Sequence, residues 1–207
     1  MVLALCLAAA SGASAQDAPA APVLGEAAVQ RLSFAEGPNW VSLRVYPEDR
    51  SIEAIFGSRL SRVLAIKNAV GTSYAPRHGV RDMGEWPWDQ AVFVYASQPF
   101  LLDVAGREIV EDSHIALATG WHQIPYLLTT PRPPAEALAS IMPALLEVQD
   151  GDGRTYPATA GSPALETLEP GAGYRVRLSA PAELVYATQR PPAVHKTVAT
   201  VGEAMAL

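Results

Sequence analysis

The sequence predicts a mainly β protein made of two tandem antiparallel β-rich repeats, each with one short helix. Three observations favour this class. Proline is frequent, at 18 of 207 residues, and it interrupts helices while it is common in turns. Short stretches of alternating apolar residues are separated by Gly, Asn, Asp and Pro. Similar residues also recur at a constant spacing along the chain, as they do in repeat proteins.

Composition and charge limit the function classes. Apolar residues make up 49% of the chain and charged residues 17%, a balance that is typical of a globular protein. The net charge of −6 does not suit a nucleic-acid partner, because phosphate binding needs a basic surface. No apolar run of membrane-spanning length follows the first twenty residues, so we expect no transmembrane segment in the mature chain.

Residues 1–15 have the pattern of a secretory signal peptide. An apolar run from Val2 to Ala10 is followed by small residues that end in Ala13-Ser14-Ala15, an A-x-A cleavage site. We therefore expect an exported protein that is periplasmic, on the cell surface or secreted. A buried N-terminal helix is the alternative, and glycine and serine at residues 11–14 disfavour it. The only cysteine, Cys6, lies in this segment, so the mature chain would contain no disulfide.

The rest of the chain divides into four parts. Residues 16–30 are predicted to be an Ala/Pro-rich leader, residues 31–110 a first repeat, residues 111–189 a second repeat and residues 190–207 a tail. Residues 104–112 contain no proline- or serine-rich spacer. This favours two repeats that pack together over two separate units.

The repeat is visible when residues 63–74 are placed over residues 145–156, at an offset of 82. Aliphatic positions, an Asn/Asp, a glycine and a tyrosine then coincide, and the same offset continues downstream. Two further pairings require other offsets, namely Trp40 over Trp121 at 81 and Ile52 over Leu138 at 86. Chance similarity between two β-rich stretches is the alternative.

Each repeat is expected to contain a Trp-led strand, a short helix, a hairpin and two final strands. Ser51 can cap the first helix, and Pro134 can occupy the first turn of the second. The predicted strands of the first repeat are 40–46, 64–68, 72–75, 91–96 and 101–104. Those of the second repeat are 121–128, 146–150, 154–157, 174–178 and 183–186.

Residues that favour turns lie between these strands. Residues 68–71 and 150–153 begin with Asn or Asp and end with Gly, and these residue types adopt positive φ readily. Pro99 and Pro181 mark the turns between the two final strands of each repeat.

Three stretches carry a resemblance to a known module. They are Asn39-Trp40-Val41-Ser42-Leu43, Gly120-Trp121-His122-Gln123-Ile124-Pro125 and Gly171-Ala172-Gly173-Tyr174. They resemble a tandem Gly-Trp-Asn-type β-rich repeat of exported proteins from Bacteroidota-like bacteria, and the likeness covers most of residues 31–188 as two copies. The chain departs from the pattern at Pro38, at Ala91-Val92 and at His122. The resemblance implies a non-catalytic accessory or surface segment and carries no catalytic residue.

The acidic turn Asp150-Gly151-Asp152-Gly153 could suggest calcium. A calcium loop needs further carboxylates at fixed steps and an acid near its twelfth position, which this sequence lacks. The aligned turn at residues 68–71 has no carboxylate at all. A plain hairpin turn is therefore the favoured interpretation, and we expect no metal and no cofactor. The histidines also lack the spacing of a metal site; they are His78, His114, His122 and His195.

Common catalytic motifs are missing from the sequence, and we predict that the protein is not an enzyme. The chain has no G-x-S-x-G motif and no Gly-rich phosphate loop. Adjacent acids such as Glu48-Asp49 would point to opposite faces of a strand. A catalytic site of an unrecognised type is the alternative.

One stretch, residues 84–90, could form a binding site. Trp86 and Trp88 flank a proline and could form a flat platform for sugar rings, with Asp89 and Gln90 as hydrogen-bond partners. The alternative is a place in the core. In the aligned repeat the two tryptophans correspond to leucine and proline, which favours a buried Trp86 and leaves Trp88 open.

Two functions follow from these features. We predict an exported, non-catalytic structural or interaction module that contacts a protein or an envelope component, with no nucleic-acid partner. The alternative is a carbohydrate-binding accessory protein that binds a glycan through Trp86 and Trp88. The two hypotheses differ in whether these indoles are exposed and coplanar.

Overall fold

The computed structural model of the protein describes residues 21–186. The predicted signal peptide over residues 1–15, Cys6 and the predicted tail over residues 190–207 lie outside this range. Within it the chain is mainly β, with antiparallel pairing in every sheet and only short helices, which confirms the predicted mainly β, antiparallel class. None of the helices in this range has the length and apolarity to span a bilayer.

Fourteen strands and two short α-helices form the described chain. The first half contains β1 (Leu24–Phe34), β2 (Gly37–Val41), β3 (Val45–Tyr46), α1 (Ile52–Phe56), β4 (Val63–Lys67), β5 (Ser73–Ala75), β6 (Val80–Arg81), β7 (Val92–Ala96) and β8 (Phe100–Ile109). The second half contains β9 (Ile115–Leu117), β10 (Gly120–Pro125), α2 (Pro134–Ala137), β11 (Leu145–Gln149), β12 (Thr155–Tyr156), β13 (Gly173–Leu178) and β14 (Ala182–Leu184). Two 3-10 helices span Gly57–Arg62 and Pro76–His78.

The strands form four antiparallel sheets. The two larger sheets have the orders β2-β7-β4-β5-β6 and β10-β13-β11-β12, and the two smaller sheets are β1-β8-β3 and β14-β9. The predicted hairpin turns are confirmed, because residues 68–71 join β4 to β5 and residues 150–153 join β11 to β12. Gly71 and Gly153 end these turns with φ of 89° and 78°.

Both predicted helix starts are confirmed. The Ser51 hydroxyl accepts a hydrogen bond from the amide of Ala54 at 3.2 Å, which pairs one of the free N–H groups of the first turn. Pro134 is the first residue of α2, where its missing N–H costs nothing. Ile52 and Leu138 are fully buried, so each helical segment packs an apolar side against the strands.

The ladders of the two halves match at the spacing of 82 residues. Val63 pairs with Ala96 and Leu145 with Leu178, and both ladders then contain a bulge whose extra residue is an exposed leucine. A bulge adds one residue to one strand and turns its side chain away from the partner. These coincidences support a tandem repeat, which itself stays a prediction.

The predicted equivalence of Trp40 and Trp121 is wrong. Trp40 lies opposite Phe93, whereas Trp121 lies opposite Arg177. The residue 82 positions after Phe93 is Arg175, and its partner is Gln123, so Gln123 is the equivalent of Trp40. The error is two residues, one period of a strand. A shift of this size leaves every apolar residue on its original face, so the pattern alone could not detect it.

The predicted offset of 86 for the helices is also wrong. The N-cap residues Ser51 and Pro133 are 82 positions apart. The error of four residues is about one helical turn, and apolar residues recur on one helix face at that spacing. Sequence patterning therefore could not distinguish the two alignments.

The sheets correct one further prediction and confirm another. The predicted leader over residues 16–30 overlaps β1, which begins at Leu24 and pairs with β8. The predicted turn at Pro99 is confirmed, because Pro99 lies between β7 and β8. These strands belong to different sheets, so the chain crosses from one sheet to the next at Pro99.

The apolar interior consists of two clusters. One contains buried residues between positions 32 and 104, and the other contains residues between positions 109 and 186. Trp88 and Ile109 are the exceptions, because they lie in the first half and pack in the second cluster. The two halves thus share a packed contact.

Ser42 joins the two halves by hydrogen bonds. It is fully buried, and its hydroxyl donates to the carbonyl of Ala172 at 2.7 Å and accepts from the amide of Tyr126 at 3.0 Å. Its own amide donates to the carbonyl of Gly171 at 2.9 Å, and its carbonyl accepts from the Gln30 side chain at 3.0 Å. Every one of these groups would be costly to leave unpaired.

We expect Ser42→Ala to lower the free energy of unfolding by about 2 kcal/mol. The change leaves the buried amide of Tyr126 without its acceptor, and an orphaned buried group costs about 1–3 kcal/mol. Urea unfolding curves of the two proteins measure the difference. Ser58→Ala, at an exposed position, serves as the control, and equal midpoints for all three proteins would contradict the role of Ser42.

Candidate functional site

The structure does not support a platform at Trp86 and Trp88. The two residues are only 2% and 6% exposed, whereas a sugar-binding platform needs a free ring face. Trp86 packs near Phe56, with ring centroids 6.1 Å apart, and its amide donates to the carbonyl of Arg50 at 2.9 Å. The favoured interpretation of Trp86 as a core residue is confirmed, and Trp88 is a core residue as well.

The acidic turn uses its oxygens internally. The Asp150 carboxylate accepts from the Arg154 side chain at 2.6 Å and from the amides of Asp152 and Arg154 at 3.0 and 2.9 Å. Its side chain is therefore committed to holding the turn and to pairing with Arg154. Between residues 21 and 186 no group of three or more His, Cys, Asp or Glu side chains is arranged to hold a metal ion.

The described histidines have local partners or face solvent. His114 lies 3.0 Å from the Glu183 carboxylate, and His78 is exposed. His122 bonds the carbonyl of Ala118 at 2.7 Å, four residues back, across the turn between β9 and β10. His195 lies outside the described residues.

A different surface carries exposed aromatic and cationic side chains. We call it the aromatic–arginine row, and it consists of Tyr95, Phe93, Trp40, Arg175, Trp121 and Arg177. Tyr95 is 39% exposed and Trp121 is 42% exposed. The row crosses from the outer face of the sheet containing β2 and β7 to that of the sheet containing β10 and β13. It is continuous because the isolated bridge between Val41 and Ala172 brings the two sheets together.

The aromatic half of the row consists of three rings in sequence. The Phe93 and Tyr95 centroids are 4.6 Å apart at 70°, and those of Trp40 and Phe93 are 6.2 Å apart at 74°. Both are edge-to-face arrangements, which aromatic pairs prefer. Phe93 and Tyr95 are two residues apart on β7, so both side chains lie on the same face of the sheet.

The cationic half places two guanidinium groups at Trp121. The Arg175 Cζ lies 4.6 Å from the ring centroid of Trp121 and 5.9 Å from that of Trp40, and the Arg177 Cζ lies 5.6 Å from that of Trp121. These distances fit cation–π contacts. Arg177 also pairs with Glu147 at 3.5 Å. Arg175 forms no ion pair with any residue between 21 and 186.

A pocket of about 220 Å³ adjoins the row at Trp121. We call it the Asp89 pocket. Its polar lining comes from Asp89, Gln90, His122 and Gln123. Its apolar lining comes from Ile115 and Leu117 of β9 and from the turn at residues 69 and 70. The structure therefore places two of the residues predicted to bind, Asp89 and Gln90, at a pocket wall, but without Trp86 or Trp88.

Two buried side-chain oxygens of the Asp89 pocket lack hydrogen-bond partners among residues 21–186. The side-chain oxygens of Gln90 and Gln123 are buried and accept no hydrogen bond from residues 21–186. Burial also raises the pKa of the Asp89 carboxyl, partly offset by a hydrogen bond from its own amide. Asp89 forms no ion pair within the described range. One carboxylate without an ion-pair partner and two buried oxygens without donors therefore belong to residues that line one small pocket.

Sequence reasoning missed the aromatic–arginine row. Alternation along β7 and β13 would have shown that Phe93, Tyr95, Arg175 and Arg177 share the outer faces of their strands. Alternation alone could not show that the outer faces of the two sheets adjoin, because this depends on the contact between β2 and the start of β13.

Comparison with known proteins gave no match to a family model, to a curated protein or to a solved structure. The functional argument therefore rests on the residues of this chain.

Proposed function

We propose that the protein is an exported, non-catalytic interaction module that binds a protein or envelope component through the aromatic–arginine row. The row itself is the observation that supports this function. Trp, Tyr and Arg are the residue types most enriched at the energetic centres of protein interfaces. Export is supported by the sequence pattern of residues 1–15, and the resemblance to a Gly-Trp-Asn-type surface module agrees with the proposal.

The geometry of the row favours a protein partner. Aromatic rings and guanidinium groups that are already packed against one another lose little conformational freedom on binding. Two guanidinium groups contact the Trp121 ring, and these contacts limit its movement before a partner arrives. Arg175 keeps N–H donors available for acceptors of the partner, since no described carboxylate occupies them.

Photocrosslinking tests the proposal. A photoreactive phenylalanine analogue is placed at Tyr95, inside the row, and in a second protein at Leu101, which is 53% exposed on a different sheet. The full chain is expressed in the cells that naturally produce it. We expect one defined crosslinked partner from the position in the row and none from Leu101.

Trp121→Ala provides the quantitative test of the row. Loss of a central tryptophan in an interface costs about 2 kcal/mol or more, which is roughly a thirtyfold loss of affinity. We therefore expect the crosslink from position 95 to disappear at native expression levels. Val29→Ala, at an exposed residue outside the row, is the matched control. An unchanged crosslink in Trp121→Ala would refute the proposed contact face.

Titration with soluble glycans tests the alternative that the partner is a glycan and not a protein. Trp121 is the exposed indole of the row, so its fluorescence would report a bound sugar. A saturable change that Trp121→Ala removes would favour glycan binding over protein binding. We expect no such change, because both guanidinium groups already contact the ring.

A further inference from the structure

We propose that the Asp89 pocket binds the cationic end of a lysine or arginine side chain from the protein partner. The inference rests on the proposed function, because it assigns a binding site next to the aromatic–arginine row. Trp121 belongs to both, so a partner seated on the row would reach the pocket without crossing other surface.

The unpaired acceptors of the pocket favour a ligand with several N–H groups. Asp89 contributes a carboxylate without a described counter-charge, and Gln90 and Gln123 contribute buried oxygens without donors. Buried acceptors of this kind are nearly always paired in folded proteins. An ammonium group has three donors and a guanidinium group five, and neither has an acceptor. Such a group would pair all three sites and neutralise the carboxylate.

The size and the apolar wall of the pocket fit one side chain. The volume of about 220 Å³ is below the roughly 300–1,000 Å³ of typical small-molecule sites, yet several times the roughly 30 Å³ of a water molecule. Ile115, Leu117 and Val70 are among the lining residues, and Val70 is 76% exposed. Lysine and arginine bury their methylene stems along such apolar surface.

The other half shows that the fold does not need these acceptors. The positions 82 residues after Asp89 and Gln90 are Gly171 and Ala172, and both line a corresponding groove beside Trp40. Glycine and alanine offer no side-chain acceptor. At this spacing the position of Asp89 carries no carboxylate in the other half, although Asp150, Asp152 and Glu169 line that groove elsewhere. Burying a carboxylate at position 89 is therefore a cost that the backbone arrangement alone does not explain.

Titration with Nα-acetyl-arginine amide tests the pocket directly. The chain is labelled with ¹⁵N, and amide chemical shifts are followed as the probe is added, with the neutral isostere Nα-acetyl-citrulline amide as the matched control ligand. We expect saturable shifts at residues 89, 90 and 123 with the cationic probe only. Equal shifts with both probes, or shifts spread over other acidic surface, would overturn the proposal.

Asp89→Asn is the matched variant, since it preserves shape and removes the charge. It is expected to reduce affinity for the cationic probe at least about tenfold, because an unpaired partner of a charge pair typically loses that much or more. Asp82→Asn, at an exposed carboxylate outside the pocket, should bind like the parent. Near-UV circular dichroism verifies that both variants are folded, and unchanged affinity in folded Asp89→Asn would refute the site.

The two proposals can fail separately. If the crosslink from position 95 survives in Asp89→Asn at parental yield, the row binds the partner and the pocket assignment is wrong. If the cationic probe binds but no partner crosslinks, the pocket is real and the proposed function is wrong.

Discussion

Replacing Trp88 with alanine should lower the free energy of unfolding by about 3–5 kcal/mol. The indole is only 6% exposed and packs in the cluster of the second half, although the residue lies in the first. Truncation leaves a cavity at the contact between the halves, and the neighbouring side chains can fill it only in part. Urea unfolding gives the difference from the midpoint and the slope of each curve.

Trp121→Ala is the control for this prediction. The same residue type is 42% exposed there, and its arginine contacts are worth about 0.5–1 kcal/mol at an exposed site. We expect a small loss of stability, well below that of Trp88→Ala. Comparable losses in the two variants would contradict the burial of Trp88 and reopen the hypothesis of a platform at residues 86–90.

Gly106→Ala is expected to destabilise the protein by about 3 kcal/mol or more, at the upper end of overpacking penalties. A Cβ at this position would lie 2.5 Å from the carbonyl oxygen of Tyr46 and 2.8 Å from the nitrogen of Pro47. Both contacts are with main-chain atoms, which cannot move aside as the end of a flexible side chain can. Pro47 also cannot extend the ladder of β3, so the chain leaves the sheet at this point, directly over Gly106.

Gly84→Ala is the matched substitution for Gly106→Ala. A Cβ at Gly84 would meet no atom within 4 Å, so we expect a change of no more than about 0.5 kcal/mol. The comparison isolates the steric effect, since both variants remove the same freedom from the unfolded chain. Equal unfolding midpoints for the two variants would show that β3 does not pack against β8 as described.

Part of the fold could be predicted because it depends on short-range chemistry. The cap at Ser51, the proline at the start of α2 and the hairpin turns at residues 68–71 and 150–153 each depend on a few neighbouring residues. Trp86 was also predictable as a core residue, because the aligned position holds leucine. Such features follow from local hydrogen bonding and φ preferences, which residue type controls.

The candidate site was predicted only in part. Asp89 and Gln90 were identified as binding residues, and they do line a pocket, but beside Trp121 and Gln123 and not beside Trp86 or Trp88. The exposure of a tryptophan depends on what packs against it, and Trp88 packs in a cluster made mostly by residues beyond position 108. No local sequence pattern indicates this contact between distant parts of the chain.

The sequence by itself determined the mainly β class, the two helix starts and the hairpin turns. Only the tertiary structure decided the strand registers, the burial of Trp88 and the meeting of the two sheets at the aromatic–arginine row. The physical reason is periodicity. A strand pattern is unchanged by a shift of two residues and a helix pattern nearly unchanged by a shift of four, so only pairing and packing between distant segments select one arrangement.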